Sequence, residues 1–313
     1  MSRALIILLS SLLFIGCGDR KNNSEKQKKA DEVSINFDTE TGIPEFSAIT
    51  EDPTELVYNF VTNDSAHLKM DYNLNMEFMG QKMPITMQME SKYFVTNVTD
   101  KLGHLTLQFT RIAMQMNGPQ VINYDSDTDS DPMGSMLGRS LSPLLNNPVS
   151  AVISPKGKII ETSINSLLQG FDTVEASQIR EQISSAADQF IQNTFIPFPK
   201  NAVAPGSTYS AGTETSSAAN LEFTKDIHYK VKSISKNKRY IVIEPSGILE
   251  LNAEKEGIKT VPGSNIIHGW VLFDMQRSFI IQSDLHMEMT VMTKQMGQDM
   301  KIKLSIDIKM KMK

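Results

Sequence analysis

The chain has a single cysteine and a single tryptophan, and after residue 15 it has no apolar run approaching the roughly 20 residues that a membrane-spanning helix needs. One cysteine forms no internal disulfide, so stability has to come from a packed core. Basic residues are also short: 31 Lys and Arg stand against 36 Asp and Glu, a net charge of −5. The largest Lys-rich stretch lies near the N-terminus, and no basic patch of the kind nucleic-acid binders carry is visible. Catalytic spacings are missing as well. The histidines His67, His104, His228, His268 and His286 form no H-E-x-x-H pair, and Gly134-Ser135-Met136 lacks the residue that a nucleophile elbow places between Gly and Ser. Ser233-Ile234-Ser235-Lys236 fits S-x-x-K without an S-D-N or K-T-G partner. The expectation is a non-enzymatic protein with no cofactor and no nucleic-acid partner.

What is present begins at the N-terminus. Arg3 precedes an apolar stretch from Ala4 to Ile15, broken only by Ser10 and Ser11, which is the length of a signal-peptide core. Phe14-Ile15-Gly16-Cys17 then reads as a lipobox: small Gly16 lets a signal peptidase close on the bond before Cys17, whose thiol takes a diacylglycerol. Phe14 stands where Leu is usual. Cleavage would remove residues 1–16 and leave 30 basic and 36 acidic residues, a net of −6. Residues 17–53 are polar and predict a lipidated, flexible tether, and residues 54–313 a β-rich body. Gly18, not Asp, follows the cysteine, which by resemblance to bacterial lipoprotein sorting predicts a lipid anchor in the outer membrane.

In the body, alternation dominates. Met70, Tyr72, Leu74, Met76 and Phe78 share one parity, and after Gly80-Gln81 the row continues through Met83, Ile85, Met87 and Met89. Successive strand side chains point to opposite faces, so this is a hairpin with one dry face. Ile302, Leu304, Ile306, Ile308, Met310 and Met312 alternate with polar residues in the same way. Met79-Gly80-Gln81-Lys82-Met83 is echoed by Met296-Gly297-Gln298-Asp299-Met300, and Tyr93-Phe94-Val95 by Tyr229-Lys230-Val231. The echo predicts two related lobes, 54–161 and 205–313, or one sheet of repeated hairpins. Between them, Asp172-Thr173-Val174-Glu175 has the form of a capping box, and Ile179, Ile183, Ala186, Ala187, Phe190 and Ile191 recur at helical spacing before Pro197. Shorter helices are expected at 163–168 and 133–145. The fold class expected is α+β, mainly β: a curved antiparallel sheet or half-barrel of repeated hairpins, with a helical segment inserted over 162–204.

Methionine is the compositional excess, at 19 residues. Met-x-Met pairs such as Met287-Glu288-Met289, beside His286, could bind copper through soft thioethers. The same i, i+2 spacing is what any buried strand face requires, and methionine suits apolar surfaces that repack around a guest. Met70, Met76, Met83, Met87 and Met89 are therefore the candidate ligand-binding residues. Asp125, Asp127, Asp129 and Asp131 alternate as in a cation loop, but the EF-hand glycine and glutamate positions hold Ser130 and Met136, so a solvated acidic loop is expected.

The lipobox, the Met-Gly-Gln hairpins, Tyr124-Asp125-Ser126-Asp127, Ser154-Pro155-Lys156-Gly157-Lys158-Ile159 and Pro205-Gly206-Ser207-Thr208-Tyr209 together resemble an uncharacterised family of outer-membrane lipoproteins from Bacteroidota-type bacteria, over most of 54–313. These motifs are turn signals, and the resemblance implies no activity. A looser architectural likeness is to periplasmic lipid and lipoprotein carriers, which wrap a curved sheet around a greasy cavity. The expected function is a membrane-anchored lipoprotein that binds an apolar ligand or lipid, or another envelope component. The alternatives are a structural lipoprotein with a solid core, or a copper binder.

Overall fold

The computed structural model describes residues 18–19, 33–78, 80–117, 121–128, 145, 148–163, 191, 194–218, 221–253, 258–261, 263–295 and 298–313. The described residues are mainly β. The first nine strands are β1 (Gly18–Asp19), β2 (Ile35–Phe37), β3 (Pro44–Phe46), β4 (Ser65–Phe78), β5 (Gln81–Thr99), β6 (Leu102–Met116), β7 (Ile122–Asp125), β8 (Val149–Ile153) and β9 (Ile159–Ser163). The remaining seven are β10 (Thr208–Ala218), β11 (Leu221–Ile234), β12 (Tyr240–Ala253), β13 (Ile258–Thr260), β14 (Ile266–Asp274), β15 (Phe279–Gln295) and β16 (Gln298–Met312).

Fourteen of these strands form one sheet along the path β10-β11-β12-β13-β15-β16-β4-β5-β6-β8-β9, with β14 pairing both β12 and β15, and β7 pairing β6. Pairing is antiparallel except for β1, which runs parallel to the end of β16. The two ends of the path do not pair, so the sheet is open and not a barrel. It curls nonetheless. From β14 to β8 is six strand spacings, roughly 29 Å if flat at about 4.8 Å each. Yet the Tyr58 ring packs 5.1 Å from Phe273 of β14, and the same ring would lie 2.8 Å from a Cβ placed on Gly157, just past β8.

Alternation fixes the inner face. In β4 the even-numbered Leu68, Met70, Tyr72, Leu74 and Met76 are at most 4 % exposed while their neighbours face water. Met83, Ile85, Met87 and Met89 continue that face across the hairpin, with Met70 opposite Met89 and Met76 opposite Met83. On β16, Leu304, Ile306, Ile308, Met310 and Met312 do the same. The two echoed hairpins are β4–β5 and β15–β16, and strands from both halves of the chain lie in the same sheet, meeting where β16 adjoins β4 at Met312 and Leu68. One core joins their inner faces to Leu56, Tyr58, Ile191, Phe195, Ile196, Phe198 and Val203.

One expectation is corrected. Residues 33–53, expected as the end of the polar tether, are folded: β2 and β3 form a hairpin whose Ile35 and Phe46 cover Val242, Trp270 and Leu272 on the outer face. β14 is thereby buried on both faces, and its pattern of exposure loses strict alternation. No helix is delimited over 162–204: 164–190, which would carry most of it, lie outside the described residues, and the described Ile191 and Thr194 are helical. Ser163 ends β9 instead of opening a short helix, and residues 133–144 also lie outside the described residues. No described helix is long and apolar enough to cross a membrane.

Candidate functional site

The chemistry of the inner face is concentrated where two non-strand segments cross it. Residues 54–60 and 194–203 are tied together by paired backbone hydrogen bonds between Thr54 and Val203 (2.8 and 2.9 Å). The Tyr58 hydroxyl accepts from the Ile196 amide at 2.9 Å and donates to the Ile196 carbonyl at 3.2 Å. Its ring stacks on Phe198 at 4.8 Å, and Phe198 meets Phe273 edge-on at 5.1 Å. The Tyr58 and Phe198 amides donate to the Pro155 and Lys156 carbonyls (2.8 and 2.9 Å). A buried aromatic ring with a satisfied hydroxyl is a rigid anchor, so this clasp holds 195–198 at a fixed height above the sheet.

Between that wall and the sheet lies a cavity of about 780 Å³. Ile227 and Tyr229 of β11, Pro245 of β12, Ile267 and Val271 of β14, Ile280 and Leu285 of β15 and Met310 of β16 line the sheet side, and Phe195 to Phe198 the other. Most of these are deeply buried, including Val271, Ile280, Leu285 and Met310 at 2–4 % exposed. The one buried polar side chain among the described lining residues, Ser283, spends its hydroxyl on the Met310 sulfur at 3.3 Å. The interior is therefore greasy, and its volume falls within the roughly 300–1,000 Å³ range of small-molecule sites.

The solvent side is charged. Lys156, Lys158, Lys200 and Lys225 all belong to the lining, and no described aspartate or glutamate does. Lys156 and Lys158 flank Gly157 on the β8–β9 turn. Gly157 has φ +77°, and a Cβ there would come within 2.4 Å of the Ile196 carbonyl oxygen, so only glycine lets this turn seat against the clasp. Lys156 is steadied by Glu55 and by the Leu56 carbonyl, both at 2.9 Å, while Lys158 and Lys200 are exposed. Tyr209 stacks on the lining residue Tyr229 at 5.2 Å, and burial, with Tyr229 beside it, pushes its phenol well above the ordinary tyrosine range.

None of the five methionines singled out in the sequence lines this cavity. Met70, Met76, Met83, Met87 and Met89 are 0–6 % exposed and pack in the core beneath β4 and β5. A tyrosine neighbour fixes one of them, the Tyr72 hydroxyl lying 3.5 Å from the Met70 sulfur. What the sequence reading missed is the Pro155-Lys156-Gly157-Lys158 turn and the Phe195-to-Lys200 wall. Their signal was visible as a glycine between two lysines and as aromatics among prolines, and it reads as turn chemistry until the clasp brings the two segments together.

The copper and cation readings separate in space. Met287 and Met289 are buried on the inner face, whereas His286 stands on the outer face, hydrogen-bonded to Asp307 at 2.7 Å and beside His268 with ring centroids 5.0 Å apart. In the acidic loop, Arg111 takes the place a cation would have. Its Nη2 lies 2.6 Å from Asp125 and its Nε 3.4 Å from Asp127, and the Arg111 hydrogen bond holds the Asp125 carboxyl below the usual carboxylate range. Asp129 and Asp131 lie outside the described residues, as does Cys17. No cluster of three or more His, Cys, Asp or Glu suited to a metal occurs among the described residues.

Fold and site together define a class: an open, curled antiparallel sheet that keeps an apolar cavity beneath an aromatic clasp. Residues 100–313, well over half of the chain, match a family of unknown function, DUF6263, and the protein belongs to that family. Comparison with curated sequences finds no match. Among solved structures, one of lipovitellin concerned with lipid–protein interactions aligns with a TM-score of 0.47 at 10% identity, covering 81% of this chain and 25% of that one. The chain thus spans about a quarter of that protein's length. DynF, of dynemicin biosynthesis in Micromonospora chersina, aligns with a TM-score of 0.23 at 6% identity over 88% of this chain and 91% of that one. A DUF1329 family protein from Desulfovibrio piger gives 0.17 at 9% identity over 79% and 85%.

Proposed function

We propose that the protein is a membrane-anchored, non-enzymatic envelope lipoprotein that binds an apolar small molecule or lipid in the cavity beneath the aromatic clasp. The anchor is the lipid on Cys17, read from Phe14-Ile15-Gly16-Cys17, and the membrane is the outer membrane of a Bacteroidota-type bacterium. The observation that carries the binding role is the cavity itself. A space of about 780 Å³, open to solvent on its lysine side and walled within by Val271, Ile280, Leu285 and Met310, has the size of a small-molecule site, and its apolar walls favour a hydrocarbon guest over water.

The test is what travels with the protein. Chains purified from native membranes should carry a stoichiometric apolar molecule, seen by mass spectrometry after denaturation. Val271→Phe and Leu285→Phe, each adding bulk to the cavity wall, should reduce that mass several-fold while the thermal midpoint stays within a few degrees of wild type. If the wild-type protein carries nothing apolar, and the two variants are indistinguishable from it in uptake of added hydrocarbon, the binding role is wrong.

A further inference from the structure

Resting on the cavity reading above, we infer that the ligand is an anionic amphiphile with a long hydrocarbon chain, its head held by Lys158 and Lys200 and its tail buried toward Met310. Charge is the first argument. The chain as a whole has more acidic than basic residues, 36 against 31, yet this lining has four lysines and no described carboxylate. A like-charged rim of that kind raises the local concentration of anions and repels cations. Glu55 offsets Lys156, but Lys158 projects exposed from the β8–β9 turn and Lys200 from the end of the clasp segment, so two separate parts of the chain bring positive charge to one opening.

The second argument is polarity along the cavity. The exposed lining residues Lys158, Lys200, Ala211 and Gly212 mark its solvent side, and the buried ones are apolar apart from Ser283, already engaged with Met310. A head group gains nothing by entering and a hydrocarbon chain gains by burial, at about 25 cal/mol per Å² removed from water. The orientation is therefore head out and tail in. The third argument is the type of cation. Lysines are mobile point charges on flexible stems, without the fixed fork by which arginine selects a planar carboxylate. The mouth should accept carboxylate, sulfate and phosphate heads alike. The volume, within the size class of ordinary ligand sites, accommodates a long hydrocarbon chain.

The experiment uses full-length protein in a mild non-ionic detergent, with native mass spectrometry reading the bound mass. Palmitate, hexadecyl sulfate, hexadecanol and hexadecylamine share a sixteen-carbon chain and differ in the charge of the head. The two anions should half-saturate at roughly tenfold lower concentration than hexadecanol, the scale of several half-exposed ion pairs acting together, and hexadecylamine should bind least. Raising salt from about 0.01 to about 1 M, which shortens the screening length from ~30 to ~3 Å, should bring palmitate level with hexadecanol. Lys158→Glu combined with Lys200→Glu should remove the anion preference, palmitate then half-saturating at no lower a concentration than hexadecanol. Should that pair unfold, Lys158→Gln with Lys200→Gln should show the same loss. Equal uptake of all four probes would overturn the head-group inference while leaving the cavity reading intact. An anion preference that survives both salt and the lysine variants would also overturn it, because recognition would then lie elsewhere. No uptake of any probe would remove the cavity reading itself.

Discussion

His286 shows how far a single residue's behaviour follows from its neighbours. Burial works against its charged form, but hydrogen bonds to Asp307 (2.7 Å) and Glu288 (3.3 Å) outweigh it, and the imidazole pKa is raised above its ordinary value. A histidine whose folded pKa exceeds the unfolded value of about 6.5 contributes stability that is fully present below that value. The contribution is lost as pH rises through the folded pKa. Asp307→Asn should therefore lower the His286 titration midpoint, followed by NMR of the imidazole protons, and flatten the stability profile on the alkaline side of 6.5. An unchanged midpoint would mean that the Asp307 contact does not form in solution. None of this was visible from sequence, because Asp307 and His286 are cross-strand partners far apart in the chain, and their pairing depends on the β15–β16 register.

At the scale of elements, long strands were legible because a period of two over a dozen residues has one physical cause, a sheet with one dry face. β4, β5 and β16 alternate in the structure at the parities read from their sequences. Short or doubly buried elements were not legible. The β2–β3 hairpin presents only Ile35, Phe37, Ile43 and Phe46 within a polar stretch, and it matters because it roofs Trp270 from the far side. β14 lost its alternation for the same reason. Register can be tested where it was clearest. Ile306 is 3 % exposed, so Ile306→Asp buries an unpaired charge and should cost several kcal/mol, on the order of 3 or more. Lys303 faces outward beside Glu77 at 3.4 Å, and Lys303→Gln should change stability by less than about 0.5 kcal/mol. Comparable shifts in denaturation midpoint for the two would refute the facing.

For the whole molecule the question is what an open sheet and the proposed membrane anchor do for one another. An edge strand leaves backbone groups unpaired, and native sheets blunt such edges to avoid association. Here β9, at one end of the path, is only five residues long, and β10, at the other, breaks register between Ser210 and Thr213 at Gly212. Both ends are thus poor templates for pairing with a second copy, and the membrane attachment proposed above is the lipid on Cys17. Two acyl chains suffice for lasting anchorage where one gives only marginal binding. Cys17→Ser removes the acceptor thiol and should shift the protein from the membrane fraction to the soluble fraction, with the loss of acyl mass seen on the intact chain. The cavity belongs to the sheet and the clasp, and none of its described lining residues precedes Lys156. The released variant should therefore take up hexadecanol as wild type does. Retention in membranes with an unchanged mass would show that Cys17 is not the anchor. Release accompanied by lost uptake would show that the acyl group and the cavity are coupled, and that the two parts of the molecule cannot be treated as independent.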